Sequence, residues 1–162
     1  MMLPNKKSVR DALRGSIAKA LEAMSEAARQ TREGATHEES RAEGDKDMRS
    51  TEQSYLARGQ AMRAEALGEE LTRLEATPLR AYGDDDAIGP GALVRVSVDE
   101  AERVFFVVPQ GGGTELEVDG VRVTVVTPSS PVGAALIGRR AGDDFELTLR
   151  GARREWMIEE VA

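Results

Sequence analysis

The spacing of hydrophobic positions changes near residue 80. Before it, apolar residues recur at Val9, Leu13, Ile17, Leu21, Met24 and Ala28, at intervals of four, four, four, three and four. That is one face of a helix, predicted over residues 8–32. Ser8 is its expected N-cap, and Asp11 three residues on gives a start like a capping box. About 25 residues of helix span roughly 37 Å. A second stripe, Tyr55/Leu56, Met62, Ala66/Leu67, Leu71 and Leu74, predicts a helix that starts at Asp47 or Ser50, runs to about Ala76 and is closed by Pro78. Gly59 and Gly68 lie inside it, each costing about 1 kcal/mol relative to Ala.

Between the two stripes Gly34 and Thr36 interrupt the pattern, and residues 34–47 hold no apolar residue larger than Ala. Two helices of similar length, each with a narrow apolar stripe, predict an antiparallel hairpin whose stripes face each other as in a coiled coil. The alternative is a pair of ordinary surface helices packed on the C-terminal part. The connection between them is acidic: Glu33, Glu38, Glu39, Glu43, Asp45 and Asp47 stand against Arg41 and Lys46. In a hairpin this segment, residues 33–47, becomes the tip.

Residues 79–91 carry three consecutive Asp, Gly83, Gly89, Pro90 and Gly91 and read as a linker. From Ala92 the period is two. ALVRVSV alternates, VFFVVP is a continuous apolar run, QGGGTELEVDG reads as loop, short strand and turn, VRVTVVTP (Val121–Pro128) as a strand, and FELTLR and EWMIEEV form a closing hairpin across Gly151. One short helix interrupts the strands, with Ser129 or Ser130 before Pro131 at its first position and Gly138 at its end. The organisation is α+β: a helical hairpin over 1–78, a linker over 79–87 and a small β-rich domain over 88–162.

Composition narrows the function. The chain has 162 residues and a net charge of −7, which argues against gripping nucleic acid or anionic membranes by bulk charge. Aromatic content of 4% is too low for base-stacking platforms. With no cysteine there is no disulfide and no thiolate chemistry. The basic N-terminus has no apolar h-region after it, and no apolar run approaches a membrane span, so a cytoplasmic protein is expected.

Candidate chemistry is sparse. Residues 110–114, QGGGT, lack the GK[ST] of a P-loop and read as a hairpin loop. His37 is the only histidine, set in the acidic connection without a rigid platform. The run Asp84, Asp85 and Asp86 reads as solvated linker, because adjacent carboxylates point in different directions. Arg139, Arg140, Arg150, Arg153 and Arg154 read as a solvated face. The acidic tip differs from these in its platform, since oxygen ligands at the end of a stiff hairpin can complete the coordination of a Mg2+ held elsewhere.

The stretch TPSSPVGAALIGRRAGDDFEL, residues 127–147, resembles the GreA/GreB family of bacterial transcript cleavage factors: Ser-Pro, a short helix ending Ala-Leu-Ile-Gly, then Gly-Asp and a strand. The order of the halves is similar as well. The resemblance implies an FKBP-like C-terminal domain that docks at the rim of the RNA polymerase secondary channel, with Ser130, Pro131, Leu136, Ile137 and Gly138 as docking positions. It implies a coiled coil that enters the channel, and an Asp and a Glu at its tip that help hold the second Mg2+ while the polymerase hydrolyses the backtracked RNA 3′ end. The protein would then be an accessory factor rather than an enzyme. It would be a monomer, touching nascent RNA indirectly and DNA only through the polymerase complex.

The tip departs from the family pattern of Gly-Asp, two residues, then Glu-Asn-Ala-Glu-Tyr. Gly44 and Asp45 match the first pair, the Glu position falls on Met48, Asp47 stands one place early, and Tyr55 is in another register. Asp45 and Asp47 are the expected metal-assisting residues, with Glu43, Glu39 and Glu38 as further candidate ligands.

Overall fold

The computed structural model describes residues 1–41 and 48–162, the side chains of residues 36–41 excepted. Two helices, α1 (Lys6–Arg41) and α2 (Met48–Ala76), precede six strands: β1 (Ala92–Val98), β2 (Ala101–Val107), β3 (Glu115–Val118), β4 (Val121–Val126), β5 (Asp144–Leu149) and β6 (Ala152–Val161). A short helix, α3 (Pro131–Leu136), joins β4 to β5. The class is α+β, a helical hairpin followed by a small β-rich domain, as the periodicity predicts.

The chain forms two compact units, Gly15–Thr72 and a second made of Met1–Arg14 with Arg73–Ala162. Packing therefore divides the chain elsewhere than composition does, and the first turns of α1 and the last turn of α2 belong with the sheet. The expected linker is folded there too. Tyr82 and Ile88 are buried in the core cluster, the Tyr82 hydroxyl donates to the Pro90 carbonyl at 2.8 Å, and Asp86 accepts from the Gly83 amide at 2.8 Å.

In this second unit the sheet runs β3-β4-β2-β1-β6-β5, with β2 and β4 parallel and every other pair antiparallel. Residues 110–114 consequently form a crossover from β2 to the edge strand β3, not the loop of a hairpin. The strands alternate sides. Val94, Val96, Phe105, Trp156 and Ile158 gather in a core with Leu136 of α3. Leu93, Val104, Phe106, Val123 and Val125 are buried on the other side of the pleat. Val9, Leu13 and Leu74, from the helix ends in this unit, are also fully enclosed. A Cβ on Gly111 would fall 2.7 Å from Leu13 Cδ1, so the glycine-rich crossover is a seat for α1.

Asn5, not Ser8, caps α1, its side-chain oxygen accepting from the Ser8 amide at 3.1 Å. The helix then continues through Gly34 and Thr36 to Arg41, about nine residues beyond the sequence estimate. The stripe simply extends through Thr31, half-buried, and Ala35, buried. Ser50 lies inside α2 rather than capping it, and Asp47, the other expected cap, lies outside the described residues.

In the Gly15–Thr72 unit the face of α2 turned to its neighbour differs from the predicted stripe. Ser50, Gln53, Ala57, Gln60, Ala64, Leu67 and Leu71 are buried or half-buried at alternating intervals of three and four, with Ala61, Gly68 and Glu70 half-buried beside them. The Ser50 hydroxyl donates to the Ala35 carbonyl of α1 at 3.3 Å. Tyr55, Leu56 and Met62, expected in the seam, are exposed. The misreading arises because the largest apolar side chains here lie outside the seam, so residue size pointed the wrong way while heptad spacing pointed the right way.

Candidate functional site

The metal candidates divide by position. Glu43, Asp45 and Asp47 lie outside the described residues, whereas Glu38, Glu39 and His37 belong to α1. Among the described residues no group of three or more His, Cys, Asp or Glu is placed to hold a metal ion. In the run Asp84–Asp86, the Asp86 carboxylate faces Arg80 at 3.4 Å, and the Asp85 backbone carbonyl accepts from Arg140 Nε at 3.0 Å. Acidic side chains of α1 nearer the described end are engaged along the helix. Arg29 binds both Glu26 and Glu33, which lowers the Glu26 carboxyl and raises the guanidinium, hydrogen bonding being the main cause in both.

The motif at 127–138 is built as a corner. Ser130 Oγ accepts from the Gly133 amide at 3.1 Å and donates to the Thr127 carbonyl at 2.8 Å, so it caps α3 and closes the preceding turn. Pro131 fills the first turn, where its missing N–H is not needed. A Cβ on Gly133 would lie 1.8 Å from the Thr127 carbonyl oxygen, a backbone atom that cannot step aside. Gly138 ends α3 with φ +84°, and its amide donates to the Ile88 carbonyl at 2.8 Å while the Ile88 amide returns a bond to Arg139.

Of the five expected docking positions, Leu136 is fully buried in the core, so it supplies packing and no contact surface. Pro131 and Gly138 are exposed, and Ser130 and Ile137 are half-buried. The spacing of the motif thus follows from how the corner folds.

The nearby arginines are not a uniform solvated face. Arg139 donates to the Ala135 carbonyl and lies 4.3 Å over the Phe145 ring, Arg153 pairs with Glu146, and Arg154 faces Asp99 at 3.5 Å. Arg95, half-buried on β1, bridges Glu102 at 2.9 Å and Glu160 at 3.1 Å. Burial is the largest influence and lowers its basicity, but the two carboxylates together raise it.

Lys6 stands at the start of α1. It is half-buried, donates to the Arg80 carbonyl at 2.6 Å and lies 5.0 Å from the Tyr82 ring centre, with Arg80 4.7 Å from the same ring. Burial lowers its pKa to about 8. The arrangement fastens the start of α1 to the segment that enters the sheet.

On α2, Met48, Tyr55, Leu56 and Met62 are 73%, 70%, 56% and 63% exposed. Sequence reading placed the last three in the seam, and the 3-4 spacing from Ser50 to Leu74 was the signal that separates the two faces.

Comparison with known proteins bears first on the sheet-bearing half. Residues 83–162 match the family model described as transcription elongation factor GreA/GreB, C-terminal. Among solved structures, one of the transcription factor Gfh1 is 23% identical, covering 92% of this chain and 93% of its own, with a TM-score of 0.40. Gfh1 of Thermus thermophilus, a GreA factor homolog, is 19% identical over 93% and 95%, with a TM-score of 0.38. GreA/GreB from Nitrosomonas europaea is 21% identical over 59% and 78%, with a TM-score of 0.37. Among curated proteins nothing matches the chain. No described helix is long and apolar enough to cross a membrane.

Proposed function

Because residues 83–162 belong to the GreA/GreB family of transcription elongation factors, we propose that the protein binds RNA polymerase at its secondary channel and stimulates cleavage of backtracked RNA. The observation that carries this reading is the family match over the sheet-bearing half, in which Ser130, Pro131, Gly133 and Gly138 each have a structural reason for their place. The polymerase supplies the active site and this protein supplies carboxylates, so it works as an accessory factor.

In this proposal Asp45 and Asp47 help hold Mg2+, with Glu43, Glu39 and Glu38 as further oxygen donors. The donor set suits a hard cation that keeps several water and phosphate ligands. When bound, such an ion would supply charge neutralisation and water activation. Bound by this segment alone it would be held weakly, so Mg2+ is shared with the polymerase. A second reading has the protein occupy the channel without stimulating cleavage. Met48, standing where the family pattern has a Glu, favours it.

A backtracked elongation complex of the cognate polymerase separates the two. The first reading expects shortened RNA on addition of the protein, and loss of cleavage with retained binding in Asp45→Ala or Asp47→Ala. Binding with no change at the RNA 3′ end overturns it and leaves the second. Absence of binding removes both.

A further inference from the structure

Helix α2 carries its polarity inside out between residues 48 and 66. Its seam is Ser50, Gln53, Ala57, Gln60 and Ala64, small or polar, and Gln53 and Gln60 each keep a side-chain oxygen that is buried with no partner among the described residues. Its outer side carries Met48, Tyr55 and Met62 at seven-residue intervals, with Leu56 beside Tyr55. An ordinary hairpin helix turns its larger apolar side chains inward. Here they face solvent in a row about 21 Å long.

The row has charged margins. Between residues 48 and 63 there are three arginines, Arg49, Arg58 and Arg63, and one carboxylate, Glu52, in a chain of net charge −7. Arg49, Leu56 and Arg63 repeat at the same seven-residue spacing as Met48, Tyr55 and Met62, so the two rows lie side by side. Methionine, tyrosine and arginine are the residues enriched where protein surfaces meet, and lysine and glutamate are depleted there. Two methionines in the row offer nothing to a phosphate, while their flexible thioethers fit an irregular apolar wall.

We propose that this outer face of α2, Met48 to Met62, docks against an apolar protein wall that carries carboxylates opposite Arg58 and Arg63. The inference rests on the polymerase reading above and names that wall as part of the polymerase itself, met by the side of the hairpin. Apolar contact supplies the affinity, and the arginine margins set orientation and on-rate. Outer positions of α1 such as Glu26, Arg29 and Glu33 satisfy one another along the helix, which leaves α2 as the docking side.

Hydroxyl-radical footprinting of the intact protein, alone and bound to RNA-free core polymerase, tests the proposal without any substitution. At least fivefold protection of Met48, Tyr55, Leu56 and Met62 is expected on binding. In parallel, a Leu56→Gln/Met62→Gln variant, matched to the parent in helicity by circular dichroism, is expected to bind at least tenfold more weakly. Binding with these residues still fully reactive, or equal affinity in the matched variant, overturns the inference and leaves the polymerase reading standing. If the parent protein does not bind polymerase, both fall. Protection that requires RNA in the complex assigns the face to nucleic acid instead. Protection that grows with protein concentration in the absence of polymerase assigns it to a second copy. Either result overturns the proposal.

Discussion

The two compact units solve the same problem in opposite ways. In the sheet-bearing unit the large side chains are enclosed: Leu13, Leu74, Leu93, Phe106 and Leu136 have no exposed surface or almost none, and Trp156 stacks between Phe105 and Phe145 at 5.7 and 5.9 Å. In the Gly15–Thr72 unit the seam beyond Met24 on α1 is alanine and threonine, the facing part of α2 from Ser50 to Ala64 is serine, alanine and glutamine, and Met48, Tyr55, Leu56 and Met62 face out, whereas Leu67 and Leu71 turn in. Burying a leucine contributes about 2 kcal/mol or more, and burying an alanine far less. One unit is therefore held together by its own interior. The other has smaller side chains along its seam beyond Met24 and leaves Met48, Tyr55, Leu56 and Met62 exposed.

The sharpest break in this comparison is Gly133→Ala against Gly59→Ala. The first forces a methyl into the Thr127 carbonyl and is expected to destabilise the sheet-bearing unit by about 4 kcal/mol or more, read from chemical unfolding. The second places a methyl in open space in a helix interior and is expected to stabilise by about 1 kcal/mol. Similar effects in both variants would show that the corner yields, or that the two units do not differ in rigidity.

A smaller effect probes the seam. Gln60→Leu replaces a buried oxygen that has no partner among the described residues, and it is expected to stabilise the hairpin by about 1 kcal/mol. Slower amide exchange in α2 is the readout, and faster exchange would mean that Gln60 is satisfied in solution.

A pH-dependent effect concerns Lys6. Its folded pKa of about 8 lies below the ordinary 10.5, so between those values the unfolded chain holds a proton that the folded chain has released. Stability contributed by this group should rise as pH climbs from 8 to 10.5. A Lys6→Met variant lacks the rise, and its stability relative to the parent should therefore fall over that window. A constant difference across the window would show that Lys6 titrates normally.

How much of this was legible beforehand depended on whether a local rule governs. The strand β1 and the starts of β4 and α3 followed from period-two alternation, turn residues and the Ser130-Pro131 signal, all of which act within a few residues. The course of α1 beyond residue 32 was missed, since Gly34 and Thr36 weaken a helix without ending it. The candidate site was legible only as composition: Asp45 and Asp47 were marked by acid content and by the match at Gly44, which fixes no geometry.

By itself the chain determined its two classes of structure, the corner at 130–138 and the absence of thiolate chemistry, because each depends on residue type and near neighbours. The tertiary structure alone decided that β2 and β4 run parallel, that Gly111 makes room for Leu13, and that Tyr55, Leu56 and Met62 lie outside the seam. Those facts depend on which distant surfaces meet. A helix with apolar residues on two sides does not say which side its neighbour takes until the neighbour is in place.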